Sequence, residues 1–572
     1  MLPTRQGVVS PLPARGERRF PAPHPFPGRT CTGGGKRRLR EFWPLASTPT
    51  PALAQAPSPH PELSALPDTR QPPPRFNGAR YCLEANARER GGKPALIMVG
   101  DRGHTDVMTF AEVDRAVRGV AAGLKALGLP AGARVMIRMG NDADYVIVYF
   151  AALAAGLVAQ PSSPQLTAAE AAFLMQDSGA AVIAAADECP LDPEACRGRI
   201  VLRRDDIARL RAGPPLDAYA DTAADDPATL VYTSGTTSRP KGVLHAHRTI
   251  WGRRPMHDFW LGLREDDVVL HAGTMNWTYT LGVGIQDPWA RGATTVLYNG
   301  KRDPALWPAL IARHRATLFA AVPSLYRQIL KYADLSAHDL SSLRHGITAG
   351  EALSPQLLAE WQAATGTPLY EALGMSEIST YVSTSPRTPV KPGSPGKPQP
   401  GRRVAILPPE GAPEPLPPGE IGLLAIHRSD PALMLGYWNR PEEEAAVMRG
   451  EWFVGGDLAA LDADGYVWFE GRNDDIMNAF GYRVSPNEVE SVLIAHPDVQ
   501  EVAVTELPVR DDVRVIAAFV VPRAGAEPAR DALLAWCGER LAAYKCPREV
   551  VFLETLPRTP NGKVQRKRLA AA

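Results

Sequence analysis

Leu230-Val231-Tyr232-Thr233-Ser234-Gly235-Thr236-Thr237-Ser238-Arg239-Pro240-Lys241-Gly242 joins three apolar residues to a run of hydroxyls, glycines and cations. The apolar residues predict a short buried strand and the remainder a loop. In that loop the hydroxyls, the backbone N–H groups and the cations Arg239 and Lys241 can all donate to anionic oxygen, which suits a phosphate chain. A Walker loop would place glycine before the lysine and Ser or Thr after it. Here Pro240 and Gly242 take those places, and proline removes a backbone donor, so ordinary P-loop chemistry is disfavoured. The loop alone leaves phosphate binding and a plain turn both open.

Around this stretch, short apolar runs such as Val135-Met136-Ile137 and residues 181–184 alternate with amphipathic helical segments, a pattern that implies parallel sheet and an α/β class. Thr167-Ala168-Ala169-Glu170 is a capping box that opens one helix. The longest apolar run, 145–159, is too short for the ~20 residues of a membrane span and reads as a buried helix started by the polar groups of 141–144. Prolines and glycines crowd into 386–418, after which 422–426 and 465–469 read as strands of a mostly β lobe. A last segment has a helix start at Ser485-Pro486-Asn487-Glu488, strands at 502–505 and 515–521, and a helix over 529–542, which predicts a small α+β domain. The expected organisation is a tail at 1–75, a large multi-lobed N-terminal domain at 76–473 and a mobile C-terminal domain at 474–572.

The chain has 572 residues, with 63 Lys plus Arg against 62 Asp plus Glu. This near-zero balance excludes a polyanion binder acting through its overall field, so any anion site is local and no nucleic-acid partner is expected. Six cysteines without a CxxC pair argue against a disulfide framework or a structural zinc site. They read as reduced thiols in a cytoplasmic protein. Residues 1–75 carry 17 of the 56 prolines and eleven Lys or Arg, with neither helical nor strand periodicity. They read as a solvated, disordered tail, without the apolar segment of an export signal.

Four separated motifs settle what the loop leaves open: the loop itself; Tyr370-Glu371-Ala372-Leu373-Gly374-Met375-Ser376-Glu377; Gly455-Gly456-Asp457 leading to Gly471-Arg472-Asn473-Asp474-Asp475; and Pro557-Arg558-Thr559-Pro560-Asn561-Gly562-Lys563. In this order they resemble the adenylate-forming, AMP-binding acyl-CoA synthetases, and the resemblance runs from about residue 76 to the C-terminus. It implies two α/β lobes plus a distorted β-barrel lobe, followed by a small mobile domain. It further implies that Lys241 and the hydroxyls of Thr233, Ser234, Thr236 and Thr237, with Gly235, surround the β- and γ-phosphates of ATP. Glu377 resembles the family's magnesium ligand, with Ser376 beside it on phosphate. Gly350-Glu351-Ala352 resembles the turn that stacks on adenine. Asp457 is similar to the carboxylate that receives the ribose hydroxyls, and Arg472 and Arg483 to arginines near ribose and phosphate. Asp474 sits at the family's hinge, the Gly481 region at its CoA step, and Lys563 resembles the lysine bridging the acid and the α-phosphate.

For the acid itself, the resemblance points to a pocket lined by Trp277 and Tyr279, with a core role for one or both left open. Gly374 stands where acetate enzymes carry tryptophan, so a longer or aromatic acid is expected, since a glycine floor leaves volume to fill. The chain departs from the family at Ser238, where glycine is usual, at Ser376, where threonine is, and at Met477-Asn478-Ala479-Phe480. His245 and His247 are expected to alternate along one strand as structural histidines without a metal. The implied activity is ATP- and Mg2+-dependent conversion of a carboxylic acid to acyl-AMP and then, with coenzyme A, to acyl-CoA. An acyl-AMP ligase serving a carrier protein is the alternative, and both monomer and homodimer stay open.

Overall fold

The computed structural model describes residues 71–233, 240–301, 303–473, 477–479, 482–484, 486–510, 513–541, 545–558 and 564–570. The body begins where proline gives way: Arg75 bridges Ala223, and Pro74 accepts from the Ala224 N–H. The expected tail at 1–70 lies outside the described residues.

Two large sheets carry the α/β part. The first runs in the order Gly436–Tyr437, Lys241–Ala246, Pro227–Thr233, Val158–Ser162, Arg134–Arg138, Val182–Ala185, Ile200–Leu202. Its last five strands are parallel, while Lys241–Ala246 and Gly436–Tyr437 add antiparallel edges. The second has nine strands, and the six from Leu369–Met375 through His345–Ala349, Leu318–Ala321, Val268–His271 and Thr294–Asn299 to Pro94–Gly100 are parallel. Parallel strands covered by helices on both faces need near-continuous apolar sequence, and Leu318–Ala321 is buried at every position.

The run at 145–159 divides between two elements. Helix Ala143–Ala154 is capped by the Asp142 side chain and buried from Asp144 onward, and Val158–Ser162 is a fully buried strand. Gly156, at φ +75°, turns the chain between them. A short apolar run reads alike as buried helix or buried strand, so the break is invisible to periodicity. The capping box at Thr167 forms as expected, with the Thr167 hydroxyl accepting from the Glu170 N–H and Glu170 accepting from the Thr167 N–H.

The third lobe is an antiparallel sheet of Val404–Leu407, Gly422–His427, Trp452–Leu461 and Met448–Arg449, with Val467–Arg472 also paired to Trp452–Leu461. The strand expected at 465–469 starts two residues later. Asp462 accepts from the N–H groups of Asp464 and Tyr466 and holds residues 462–466 in a turn, with Gly465 at φ +81°. The C-terminal part has helix Pro486–Ile494, strands Val499–Arg510, Val513–Pro522 and Glu549–Phe552, and helix Arg530–Gly538, shorter than the expected 529–542. This is the α+β pattern expected of a smaller domain. No described helix is long and apolar enough to cross a membrane, and Cys82, Cys189, Cys196, Cys537 and Cys546 are free thiols.

Candidate active site

Strands Pro227–Thr233 and Lys241–Ala246 pair antiparallel, with Thr233 opposite Lys241. Ser234, Gly235, Thr236, Thr237 and Ser238 lie outside the described residues. Lys241 forms an ion pair with Glu443 of helix Pro441–Val447, and its ammonium lies 5.6 Å from the centre of the Tyr437 ring. Strand Gly436–Tyr437 pairs with Lys241–Ala246 and carries Tyr437 to the lysine, and the helix that follows it brings Glu443.

The same tyrosine reaches the proposed metal ligand. The Tyr437 hydroxyl donates to Glu377 Oε1 at 2.7 Å, and burial, with the Glu377 charge beside it, pushes the phenol pKa far up, so it stays a donor. Ser376 turns its carbonyl to His245, whose Nε2 lies 2.8 Å away. Glycines draw the third motif close: a Cβ at Gly455 would sit 2.3 Å from the Met375 sulfur. Asp457, 5% exposed, stands opposite Arg472 in the ladder of Trp452–Leu461 and Val467–Arg472. Arg472 Nη1 donates to Asp457 Oδ1 at 3.0 Å and to the Gly455 carbonyl at 2.6 Å, so the arginine orients the carboxylate. Residues 241, 377 and 457, separated by 136 and 80 positions in the chain, are thereby linked through Tyr437 and the Met375–Gly455 contact.

Gly350 has φ +90°, and a Cβ there would lie 2.9 Å from the Trp277 ring, so glycine lets the indole lie against this turn. Glu351 faces inward to the protein, accepting from the Ser324 hydroxyl at 2.8 Å and its N–H at 3.0 Å, while Ala352 is exposed. Tyr279 is a core residue: it stacks on Trp260 at 5.9 Å, and its hydroxyl donates to the Ile347 carbonyl at 3.2 Å. Gly374 does not provide the open floor expected of it. A Cβ there would meet the Ser379 carbonyl oxygen at 2.3 Å and Thr380 Cα at 2.5 Å, so the missing side chain makes room for the neighbouring strand Ser379–Ser383 at a bulge.

Lys563, Asp474 and Gly481 lie outside the described residues, and Arg483 stands opposite Asn478 in a two-stranded ladder. The histidines are structural but do not share a strand face. His245 is on Lys241–Ala246, whereas His247 follows it, and its Nδ1 accepts from the Gly78 N–H at 3.2 Å. Burial lowers both to about 4, and among the described residues no His, Cys, Asp and Glu cluster could hold a metal.

Sequence reasoning missed Tyr437 and Glu443, which follow no motif spacing, and a buried ion pair behind Ser376. Arg253 Nε donates to Asp287 Oδ1 at 2.9 Å and Nη2 to Oδ2 at 2.6 Å, with His257 Nε2 3.1 Å from Oδ1. Burial disfavours the Asp287 charge, and Arg253 and His257 more than offset it, holding the carboxyl below its ordinary value. An arginine and an aspartate 34 positions apart carry no sequence signal of pairing.

Family models for the AMP-binding enzyme and for the AMP-binding enzyme C-terminal domain match residues 83–438 and 488–563. The chain is 32% identical to an uncharacterized acyl–CoA ligase of Bacillus subtilis (strain 168), over 84% of this chain and 93% of the relative. It is 33% identical to the benzoate–CoA ligase of Thauera aromatica, over 87% and 97%. Its structure is similar to the crystal structure of an anthranilate CoA ligase in complex with anthranoyl-AMP, with a TM-score of 0.80 and 32% identity over 88% of this chain and 98% of that one. Motifs, architecture and relatives agree: the chain belongs to the AMP-binding enzyme family, the adenylate-forming acyl-CoA synthetases.

Proposed function

We infer that the chain is an ATP-dependent acid:CoA ligase. The observation that carries this reading is the convergence of Lys241, Glu377 and Asp457, one residue each from three separated motifs, on a single region joined through Tyr437 and Gly455. Its likeness to an enzyme crystallised with anthranoyl-AMP supports an acyl-AMP intermediate here.

In the first half-reaction a carboxylate oxygen attacks the α-phosphorus of ATP, the bond to the β-phosphate oxygen breaks, and pyrophosphate leaves. Lys241, with Thr233 and the loop residues Ser234, Gly235, Thr236 and Thr237, holds the outer phosphates through hydroxyl, N–H and ammonium groups that can donate to anionic oxygen. Asp457, oriented by Arg472, accepts from the ribose hydroxyls, and the turn at Gly350 seats the adenine. Lys563 bridges the acid and the α-phosphate as charge develops between them. Glu377 fits Mg2+, because its carboxylate offers hard oxygen donors and the Tyr437 partner is a neutral hydroxyl rather than a competing cation. When bound, Mg2+ supplies neutralisation of the departing pyrophosphate charge. In the second half-reaction the C-terminal domain turns about Asp474, and the CoA sulfur attacks the acyl carbon. The bond to AMP breaks and the thiol proton is released.

Pyrophosphate release with Mg-ATP, across carboxylates from acetate to benzoate and octanoate, with and without CoA, tests the reading. CoA-dependent thioester is expected. Pyrophosphate without thioester would replace it with an acyl-AMP ligase.

A further inference from the structure

Glu377 sits in the turn 376–378 between strands Leu369–Met375 and Ser379–Ser383. Several elements hold that turn by its backbone. The Ile378 N–H donates to the Met375 carbonyl at 3.3 Å, and the Met434 N–H donates to the Glu377 carbonyl at 2.8 Å. His245 Nε2 lies 2.8 Å from the Ser376 carbonyl, which can only accept, so Nε2 carries the proton. Burial favours that neutral ring.

Ser379, the first residue after the turn, is held by its side chain. Its φ is +76°, a conformation that glycine adopts freely and that another residue keeps only when its surroundings enforce it. What serine brings to this position, and glycine could not, is a hydroxyl. That hydroxyl accepts from Arg253 Nη1, and it donates weakly to the Met256 sulfur at 3.7 Å.

The guanidinium that reaches Ser379 is itself fixed. Arg253 and Asp287 are buried, with side chains 4% and 1% exposed, and Nε and Nη2 both donate to the aspartate. Asp287 also receives His257 Nε2, whose Nδ1 accepts from Arg291 Nε at 3.2 Å. Gly282 leaves space for the guanidinium, since a Cβ there would lie 2.1 Å from Nη2 and 2.4 Å from Cζ. Two nitrogens of the fork are thus committed to the interior, and Nη1 is the one that reaches the turn. None of residues 253, 257, 287 and 291 belongs to the motifs that carry the site. The groups behind a metal-ligating carboxylate set its orientation and much of its affinity, and Ser379 is two residues from Glu377.

Resting on the ligase reading, we propose that Arg253 is a positioning residue for Glu377: held by Asp287, it fixes the turn through the Ser379 hydroxyl and so presets the carboxylate for the Mg2+ of Mg-ATP. The readout is the ratio of ATP affinities with Mg2+ and with EDTA, measured by titration calorimetry on the full chain, beside the thermal midpoint. Ser379→Gly removes the hydroxyl while easing the backbone, so the midpoint should stay within a few degrees and the Mg2+ ratio should fall at least about tenfold. Ser379→Ala, which adds no backbone freedom, should lose the ratio to the same extent. Arg253→Lys keeps a cation beside Asp287 without the fork. Combined with Ser379→Gly it should lower the ratio no further, because both changes break one link, and a further loss would mean that Arg253 acts by another route. The Ser379 variants decide the matter even if Arg253→Lys does not fold. An unchanged ratio in both of them, or a wild-type ratio of one, would overturn the proposal while the ligase reading, tested by thioester formation, stands. A wild-type chain that binds ATP neither with Mg2+ nor without it would overturn both.

Discussion

Lys241 is paired before any nucleotide arrives. Its partner Glu443 is an anion from helix Pro441–Val447, so binding a phosphate exchanges one anionic partner for another. A half-buried pair of this kind is worth about 1 kcal/mol, which opposes ATP binding by roughly fivefold. Glu443→Gln should therefore lower the KM for ATP several-fold, measured by initial rates of pyrophosphate release; an increase would mean that Glu443 positions the lysine rather than competing for it. At Lys563 the expectation is different in kind. Removing the charge proposed to stabilise the transition state, Lys563→Ala, should cost on the order of 100-fold or more in adenylation and much less in thioester formation from supplied acyl-adenylate. Equal loss in both half-reactions would contradict that role.

Among the elements, the close approach of Leu369–Met375 to Ser379–Ser383 sets the geometry of the motif that carries Glu377. Gly374 permits that approach, and its register break with Ser379–Ser383 lets residues 376–378 form the turn between the two strands. Gly374→Ala places a methyl group against backbone that cannot rotate away, and overpacking of this kind costs about 1–3 kcal/mol. A thermal midpoint lowered by a few degrees is expected, together with a raised KM for ATP as Glu377 shifts. If the protein tolerated Gly374→Trp with both values unchanged, the glycine would be an open floor after all.

At the scale of the whole molecule, the proposed pair of half-reactions has the C-terminal domain take two positions. Asp474→Pro, by restricting the backbone at the proposed hinge, should slow thioester formation more than adenylation; an unchanged overall rate would count against domain alternation. Stability at this scale also carries a pH signature. His245, His247 and His345 are lowered by burial from 6.5 to about 4. Each stays neutral in the folded chain and binds a proton on unfolding below about 6.5, so their contribution is complete above that pH and is lost as pH falls toward 4. Urea midpoints at pH 7.5, 5.5 and 4.5 should fall in that order, and a flat profile down to 4.5 would mean that these rings are protonated in the fold.

Local chemistry is what the chain discloses along its length. The α/β alternation and the capping box at Thr167 were legible because turn propensity and apolar period are properties of neighbouring residues, whereas the roles proposed for Lys241, Glu377 and Asp457 rest on the resemblance of four motifs to a family. Helix Ala143–Ala154 was legible but its end was not, since one apolar run served two elements. What only the tertiary structure decided is which groups meet. Tyr437 reaches Glu377 from 60 positions away, and Glu443 reaches Lys241 from 202. Gly374 admits a backbone rather than a ligand, and Arg253 meets Asp287 in the interior from 34 positions away. These contacts arise where strands from different sheets and lobes are brought side by side, and no spacing along the sequence encodes a distance across the fold.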